Sequence, residues 1–212
     1  EGWAVMLPYD FQERMADGNT PRLRTVTGYE SFAGNEYDLP LMIPSPTISY
    51  RSYRISAYNK PAIAYDILRK TLGDDLFLKA LHAYIERWNG KHPIPTDFFF
   101  TFNEVTGQDL SWFWKPWFYN FSHPDLAISK VKARRNSLFV EVKNSGNLPL
   151  PVKLQVMYKD AVVKEVYKNA DVWKSGKEKI EVKIEGVKNY DAVILGSELI
   201  PDVNSIDNVY FK

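Results

Sequence analysis

The chain has 212 residues, 45% of them apolar, and its 27 basic residues nearly balance its 26 acidic residues. This length and apolar content predict a packed protein of one large or two modest domains rather than a disordered chain. A formal net charge of +1 gives no broad attraction for nucleic acid or anionic lipid, so we expect neither as a partner. No apolar run approaches the roughly 18 residues of a membrane-spanning helix. The chain has no cysteine, which excludes disulfides and thiolate metal sites and leaves periplasmic, secreted and cytoplasmic locations open.

Residues 17–55 are rich in Gly, Pro and Ser and are predicted to be largely irregular. A connection of this length in a compact protein is usually functional or wraps over another domain. The stretch LPLMIPSP at residues 39–46 either borders a substrate cleft or forms a proline-stiffened surface loop.

Residues 56–121 carry apolar side chains at helical spacing, with breakers between the periodic blocks. One predicted helix begins near Pro61 and stops at Gly73, and the next begins at Asp74 as its cap and ends at Gly90. Two shorter helices follow in DFFFTFNEVTG and in LSWFWKPWFYNF, the second capped by Asp109 and kinked by proline. The predicted apolar stripe of the second helix consists of Phe77, Leu81, Tyr84, Ile85 and Trp88.

After Pro124 the apolar period changes to two, which is typical of half-buried strands. The alternation is clearest in residues 138–143 and 180–185. Further strands are predicted in KLQVMYK, AVVKEVYK and DAVILG, which gives six or seven short strands separated by turn signals. A small antiparallel β-sandwich is the simplest arrangement for them. We therefore predict an α+β chain of two domains, helical in residues 1–124 and a β-sandwich in residues 125–212.

The sequence alone contains no complete active site. The three histidines, His82, His92 and His123, belong to no HExxH, HxH or other ligand-spaced group. His82 and Glu86 share a helical face, but the lysine at position 79 shares it too, which favours a solvated surface over a metal site. No cysteine nucleophile, GxSxG motif or phosphate-binding glycine loop is present in the sequence.

Two long segments carry a family resemblance. AYNKPAIAYDILRKTLGDDLFLKALHAYI and PTDFFFTFNEVTGQDLSWFWKPWFYNFSHPDLAI resemble the region after the zinc site in the gluzincin metallopeptidases of the alanyl aminopeptidase and leukotriene hydrolase family. The resemblance covers residues 50–130 and extends more weakly to the C-terminus. In that family an HExxH helix supplies two histidine ligands and a general-base glutamate, and a later Glu-Gly-Phe/Trp-Ala motif supplies the third zinc ligand. The opening EGWA of this chain is similar to that motif.

The resemblance implies that the chain is the C-terminal part of a zinc aminopeptidase, cut after the HExxH helix. The parent would use Zn²⁺ to hydrolyse the N-terminal peptide bond of a peptide substrate. Glu1 would be a zinc ligand; the alternative is an acid favoured by the helix dipole at a helix start. Without the two histidines, we expect the isolated chain to bind no zinc and to be inactive.

Tyr58, in YNKPA, matches the family tyrosine that faces the zinc-bound carbonyl oxygen. A neutral phenol there donates a hydrogen bond to the developing oxyanion. The alternative is a tyrosine at a helix entry that packs its ring and hydrogen-bonds locally. Tyr53 matches a tyrosine near the substrate in some members, so the resemblance implies that it lines the pocket. Pro61 replaces the usual glycine, which preserves the helix entry but does not ensure close backbone approach.

The aromatic residues between positions 112 and 121 are expected to pack between the helical and β parts rather than to stack on a ligand. They are Trp112, Phe113, Trp114, Trp117, Phe118 and Phe121. A different class of function stays open, namely a noncatalytic module whose sandwich binds protein or glycan. If a preceding zinc helix has been removed, an apolar face is exposed, and we expect self-association or a mobile stretch from Glu1 to Ile55.

Overall fold

The computed structural model describes residues 1–15 and 21–212, in which helices are followed by strands. The helices of the described residues are α1 (Gly2–Met6), α2 (Tyr9–Met15), α3 (Pro21–Glu30), α4 (Tyr50–Arg54), α5 (Lys60–Leu72), α6 (Asp74–Trp88), α7 (Pro95–Thr106) and α8 (Ser111–Trp114). The strands are β1 (Leu126–Arg134), β2 (Ser137–Asn144), β3 (Val152–Tyr158), β4 (Ala161–Lys168), β5 (Lys179–Glu185), β6 (Ala192–Leu195) and β7 (Val209–Phe211). The α+β prediction is confirmed.

The expectation that residues 17–55 are largely irregular is wrong for two parts of this stretch. Residues 21–30 form α3, and residues 50–54 form α4, while residues 17–20 lie outside the described residues. The sequence TVTGYE has low helix propensity, but tertiary packing compensates because Val26 and Tyr29 on α3 are buried. The loop after α3 is non-helical as far as a short 3₁₀ turn at Ser45–Thr47.

Both helices predicted on either side of Gly73 are present, as α5 and α6. Gly73 separates the two helices with φ +80°, a conformation that favours glycine. Asp74 is the first residue of α6 rather than its cap, because Gly73 holds the capping position and the Asp74 carboxylate accepts from Arg69 Nε at 2.7 Å. Phe77 and Leu81 of the predicted stripe are buried, whereas Ile85 stays half exposed.

The two later helices lie where they were predicted, but the capping position of the second is held by Leu110 rather than by Asp109. α7 ends before Gly107, whose φ is +64°, and Asp109 accepts from the Ser111 backbone N–H at 2.9 Å. The chain widens into a five-residue π-turn at Lys115–Tyr119, where Pro116 interrupts regular helix bonding. The buried aromatic residues of this segment are Phe113, Trp114, Trp117 and Phe118. Phe121 is 75% exposed, so the expectation that it packs between the helical and β parts is wrong. It follows the π-turn, which ends at Tyr119, and therefore lies outside the segment whose aromatic side chains are buried.

The strands form two antiparallel sheets in the described residues. One sheet has the order β1-β2-β5 and the other β4-β3-β6-β7. Alternate residues of β2 are buried, as the period of two predicts. Buried side chains of both sheets, including Val140 and Val182 from one and Leu154 and Val193 from the other, belong to the same core. The sheets therefore bury apolar faces as a sandwich does.

The helical and β parts meet in one continuous hydrophobic cluster. The π-turn after α8 ends at Tyr119, and the first strand begins at Leu126. Because buried side chains are continuous across this point, the division into domains at residues 124 and 125 stays a prediction. Across residues 1–15 and 21–212, the structure contains no helix with the length and apolar character needed to cross a bilayer.

Candidate functional site

Glu1 reaches the site because α1 packs very closely against the start of α5. A Cβ atom added to Gly2 would lie 2.7 Å from both Cβ and Cγ of Pro61, so only glycine fits this contact. The proline at position 61 did not by itself ensure a close approach of the backbone. The two helices approach closely here because Gly2, on the opposing helix, has no side chain. Glu1 precedes α1 at its capping position, with its side chain exposed.

Trp3 anchors the same helix to the aromatic core. Its ring stacks on Tyr65 with a centroid distance of 3.8 Å and an interplanar angle of 7°. It also meets Phe98 edge to face, with centroids 5.3 Å apart. Offset and edge-to-face aromatic pairs each add about 0.5–1.5 kcal/mol beyond buried area. These contacts fix the orientation of α1 and therefore the position of Glu1.

Tyr58 and Tyr53 lie together on one helical surface. Their rings are perpendicular, at 83°, with centroids 5.9 Å apart. Hydrogen bonding with Tyr53, desolvation and the negative charge of Glu1 raise the pKa of the Tyr58 phenol to about 12. The phenol is therefore a protonated hydrogen-bond donor at neutral pH. The structure thus brings together all three residues that the resemblance singled out.

A cleft with a cavity volume of about 400 Å³ opens beside Glu1 and Tyr53, and Tyr58 is not among the residues that line it. Its lining includes Glu1, Trp3, Tyr53, Tyr65, Phe98 and Phe118. The loop that follows α3 also contributes, through Leu41, Met42 and Ser45, so this proline-rich stretch borders the cleft. Most of the lining residues are aromatic or apolar, but polar atoms make up the larger part of the exposed lining surface, so the cleft offers both apolar contacts and hydrogen-bonding groups.

Sequence reasoning missed a buried ion pair beneath the site. Lys60 is fully buried, and its Nζ donates to Asp38 Oδ1 at 2.7 Å and to the Leu39 carbonyl at 3.2 Å. The other oxygen of Asp38 accepts from the Tyr29 hydroxyl at 3.1 Å. One signal was available, because Lys60 precedes Ile63 by three residues and therefore falls on the apolar face of α5. Nothing in the sequence pointed to Asp38 as its partner.

The histidines lie outside this arrangement. His82 and Glu86 are exposed on α6, as expected for a solvated face. Among residues 1–15 and 21–212, no group of three or more His, Cys, Asp or Glu side chains is arranged to hold a metal ion. Glu1 therefore belongs to no such group within the described part of the chain.

The chain was compared with known proteins. Residues 1–117 match the peptidase family M1 domain. The structure is similar to that of Legionella pneumophila aminopeptidase A, solved in complex with aspartic acid, with a TM-score of 0.52 and 21% sequence identity. The match covers 65% of this chain and 16% of the Legionella chain, so it spans a small part of that protein. At this identity the likeness shows the fold alone. No curated protein matches the chain.

Proposed function

Because the chain belongs to peptidase family M1, we propose that it is the C-terminal part of a zinc aminopeptidase that hydrolyses N-terminal peptide bonds. The observation that carries the proposal is the proximity of the Tyr58 phenol to the Glu1 carboxylate, together with the cleft that Glu1 and Tyr53 line. In this proposal residues 1–124 complete the catalytic domain and residues 125–212 form a separate sandwich domain. The peptide substrate is part of the proposal as well.

The ligand set supports a shared zinc site rather than one held by this chain alone. Peptidases of family M1 depend on zinc, and a catalytic zinc takes three protein ligands and keeps one open position. The Glu1 carboxylate is exposed at the cleft and can supply one oxygen ligand. By the family resemblance, two histidines and the general-base glutamate come from an HExxH helix outside this chain. Residues 1–212 alone are therefore proposed to be inactive.

Tyr58 has the protonation state that the proposed role requires. When bound, zinc lowers the pKa of a bound water toward about 7 and polarises a carbonyl group. Tyr58, with a pKa of about 12, keeps its proton at neutral pH and can donate it in a hydrogen bond to an oxygen that gains negative charge. Tyr53 packs edge to face against the Tyr58 ring and also lines the cleft. We propose Tyr58 as the catalytic residue of this chain and Tyr53 as a substrate-pocket residue.

The cleft is suited to one residue of a peptide. Trp3, Tyr65 and Phe98 form a rigid aromatic wall, because each ring is held by contacts with the others. A rigid wall loses little conformational entropy when an apolar side chain binds to it. The polar side of the cleft, with Glu1 and Tyr53, is where the reacting peptide bond would lie.

The test uses the full-length protein that contains this chain, loaded with zinc and assayed with an aminoacyl p-nitroanilide. Tyr58→Phe should lower kcat about 10²- to 10³-fold while KM changes little, since it removes a donor that acts in the transition state. Tyr50→Phe is the matched control, because Tyr50 lies in α4 and is 73% exposed. A Tyr58→Phe enzyme with wild-type kcat would refute the catalytic role.

The metal role of Glu1 has its own readout. Glu1→Gln should reduce the zinc content of the purified full-length protein, measured by atomic absorption. Unchanged zinc content would contradict the ligand assignment. If the full-length protein shows no chelator-sensitive hydrolysis at all, the noncatalytic protein- or glycan-binding module becomes the better description.

A further inference from the structure

Tyr58 lies in an irregular part of its helix. The chain is helical from Tyr50 to Leu72, but residues 55–59 form a wide π-turn within it. Such turns are rare and appear mostly where the surrounding structure supports them, often at functional sites. The direction in which the Tyr58 phenol points therefore depends on the contacts that hold this turn.

The first contact comes from α3. The Asn59 side-chain amide donates to the Thr25 carbonyl at 3.2 Å. Gly28 faces the same amide, and a Cβ atom added there would lie 2.5 Å from Asn59 Nδ2. α3 can approach the π-turn this closely because position 28 has no side chain.

The second contact comes from the loop that follows α3. Lys60 is the residue directly after the π-turn, and its buried Nζ is held by Asp38 and by the Leu39 carbonyl. Asp38 is in turn fixed by the Tyr29 hydroxyl and by the Gly34 backbone N–H, at 3.1 and 2.9 Å. A buried ion pair is a weak source of net stability, because desolvation offsets most of the attraction between the charges. Its directional bonds do, however, restrict where Lys60 can lie.

We infer that Asn59 and Lys60 are positioning residues that hold the π-turn so that the Tyr58 phenol stays beside the Glu1 carboxylate. Their contacts, with Thr25 and Gly28 on α3 and with Asp38 in the loop, form a bracket around the turn. This inference rests on the proposed function, since it gives Tyr58 the role of hydrogen-bond donor. The same loop continues into the cleft wall, where the Met42 N–H donates to the Phe118 carbonyl at 2.9 Å.

The test measures kcat and KM of bracket variants in the full-length, zinc-loaded protein. The first variant combines Lys60→Met with Asp38→Asn, which removes both buried charges together. The new amide at position 38 keeps an oxygen that can accept the hydrogen bond from the Tyr29 hydroxyl. Gly28→Ala is the second variant, in case the first fails to fold, because it displaces only the Asn59 amide. Each should lower kcat about tenfold or more at nearly constant KM and zinc content, since small misplacements of a catalytic group are costly. Lys70→Met is the matched control, because it removes another lysine–carboxylate pair, with Asp66, from the same helix.

The decisive measurement repeats the bracket variants in a Tyr58→Phe background. If the bracket acts through the Tyr58 hydroxyl, neither variant lowers kcat further there. Three results would overturn the inference while leaving the role of Tyr58 intact. They are an equal fold-decrease in kcat in both backgrounds, a loss of bound zinc from the bracket variants, and wild-type kcat in folded bracket variants. Wild-type kcat in Tyr58→Phe alone would refute the proposed function, and the inference would fall with it.

Discussion

Replacement of Gly2 by alanine tests the contact that brings Glu1 to the cleft. The new Cβ would lie 2.7 Å from two atoms of the Pro61 ring, well inside the 3.4 Å at which ordinary contact begins. The ring is rigid and is part of α5, so α1 must move by several tenths of an ångström. Overpacking of this kind costs about 1–3 kcal/mol. The better helix propensity of alanine offsets at most about 1 kcal/mol.

We therefore expect Gly2→Ala to destabilise residues 1–212 by about 1–2 kcal/mol. For a chain of this size, each kcal/mol lowers Tm by about 2–4 °C. The assay is thermal and urea unfolding followed by far-UV circular dichroism. Ala4→Gly measures how much helix propensity alone changes the stability of α1, because Ala4 is an exposed position on the same helix.

A double-mutant cycle separates the clash from other effects. Pro61→Gly removes both ring atoms that the new methyl group would meet, so the cost of Gly2→Ala should disappear in that background. Equal costs of Gly2→Ala with and without the proline ring would refute the reasoning. So would a stabilising effect of Gly2→Ala in the wild-type background.

Two further predictions concern stability and association. Burial, followed by the nearby Asp202 carboxylate, raises the pKa of Asp125. When folding raises the pKa of a carboxyl group, the folded protein loses stability as pH rises from the unfolded pKa of that group, about 4, through its folded pKa. Urea unfolding should therefore show Asp125→Asn gaining stability over wild type as pH rises from about 4 to 7. A difference between the two proteins that stays constant over this pH range contradicts the prediction. Leu7, Phe11 and Met15 are exposed at helical spacing by 47%, 63% and 75%, which supports the expected self-association. In sedimentation velocity, Phe11→Ser should weaken that association about tenfold and the exposed-site control Tyr50→Ser should not; a chain that is monomeric at every concentration refutes the prediction.

Local sequence patterns predicted most of the helices and strands. The period of the apolar residues, 3.6 in residues 56–121 and 2 after position 124, predicted helices and then strands, and both are present. Gly73 and Gly107 marked helix ends because each has a positive φ that other residues rarely adopt. Such features depend on residues near one another in sequence, so sequence alone could show them.

α3 could not be predicted in the same way. Its own sequence has weak helix propensity, and the helix is stabilised by contacts with distant residues. One of these contacts is the ion pair of Arg22 with Asp66 on α5, at 3.1 Å. The exposure of Phe121 was missed for a similar reason, because apolar character does not indicate which side of a turn faces the core.

The sequence by itself determined the fold class and the family resemblance, because the EGWA and YNKPA motifs are contiguous stretches. Only the tertiary structure decided that Glu1 and Tyr58 meet, because their approach depends on Gly2 fitting against Pro61 across two helices. The tertiary structure also decided that Lys60 finds Asp38 in a fully buried pair, twenty-two residues away in sequence. Contacts between distant segments follow from packing of the whole chain, and no local pattern encodes them.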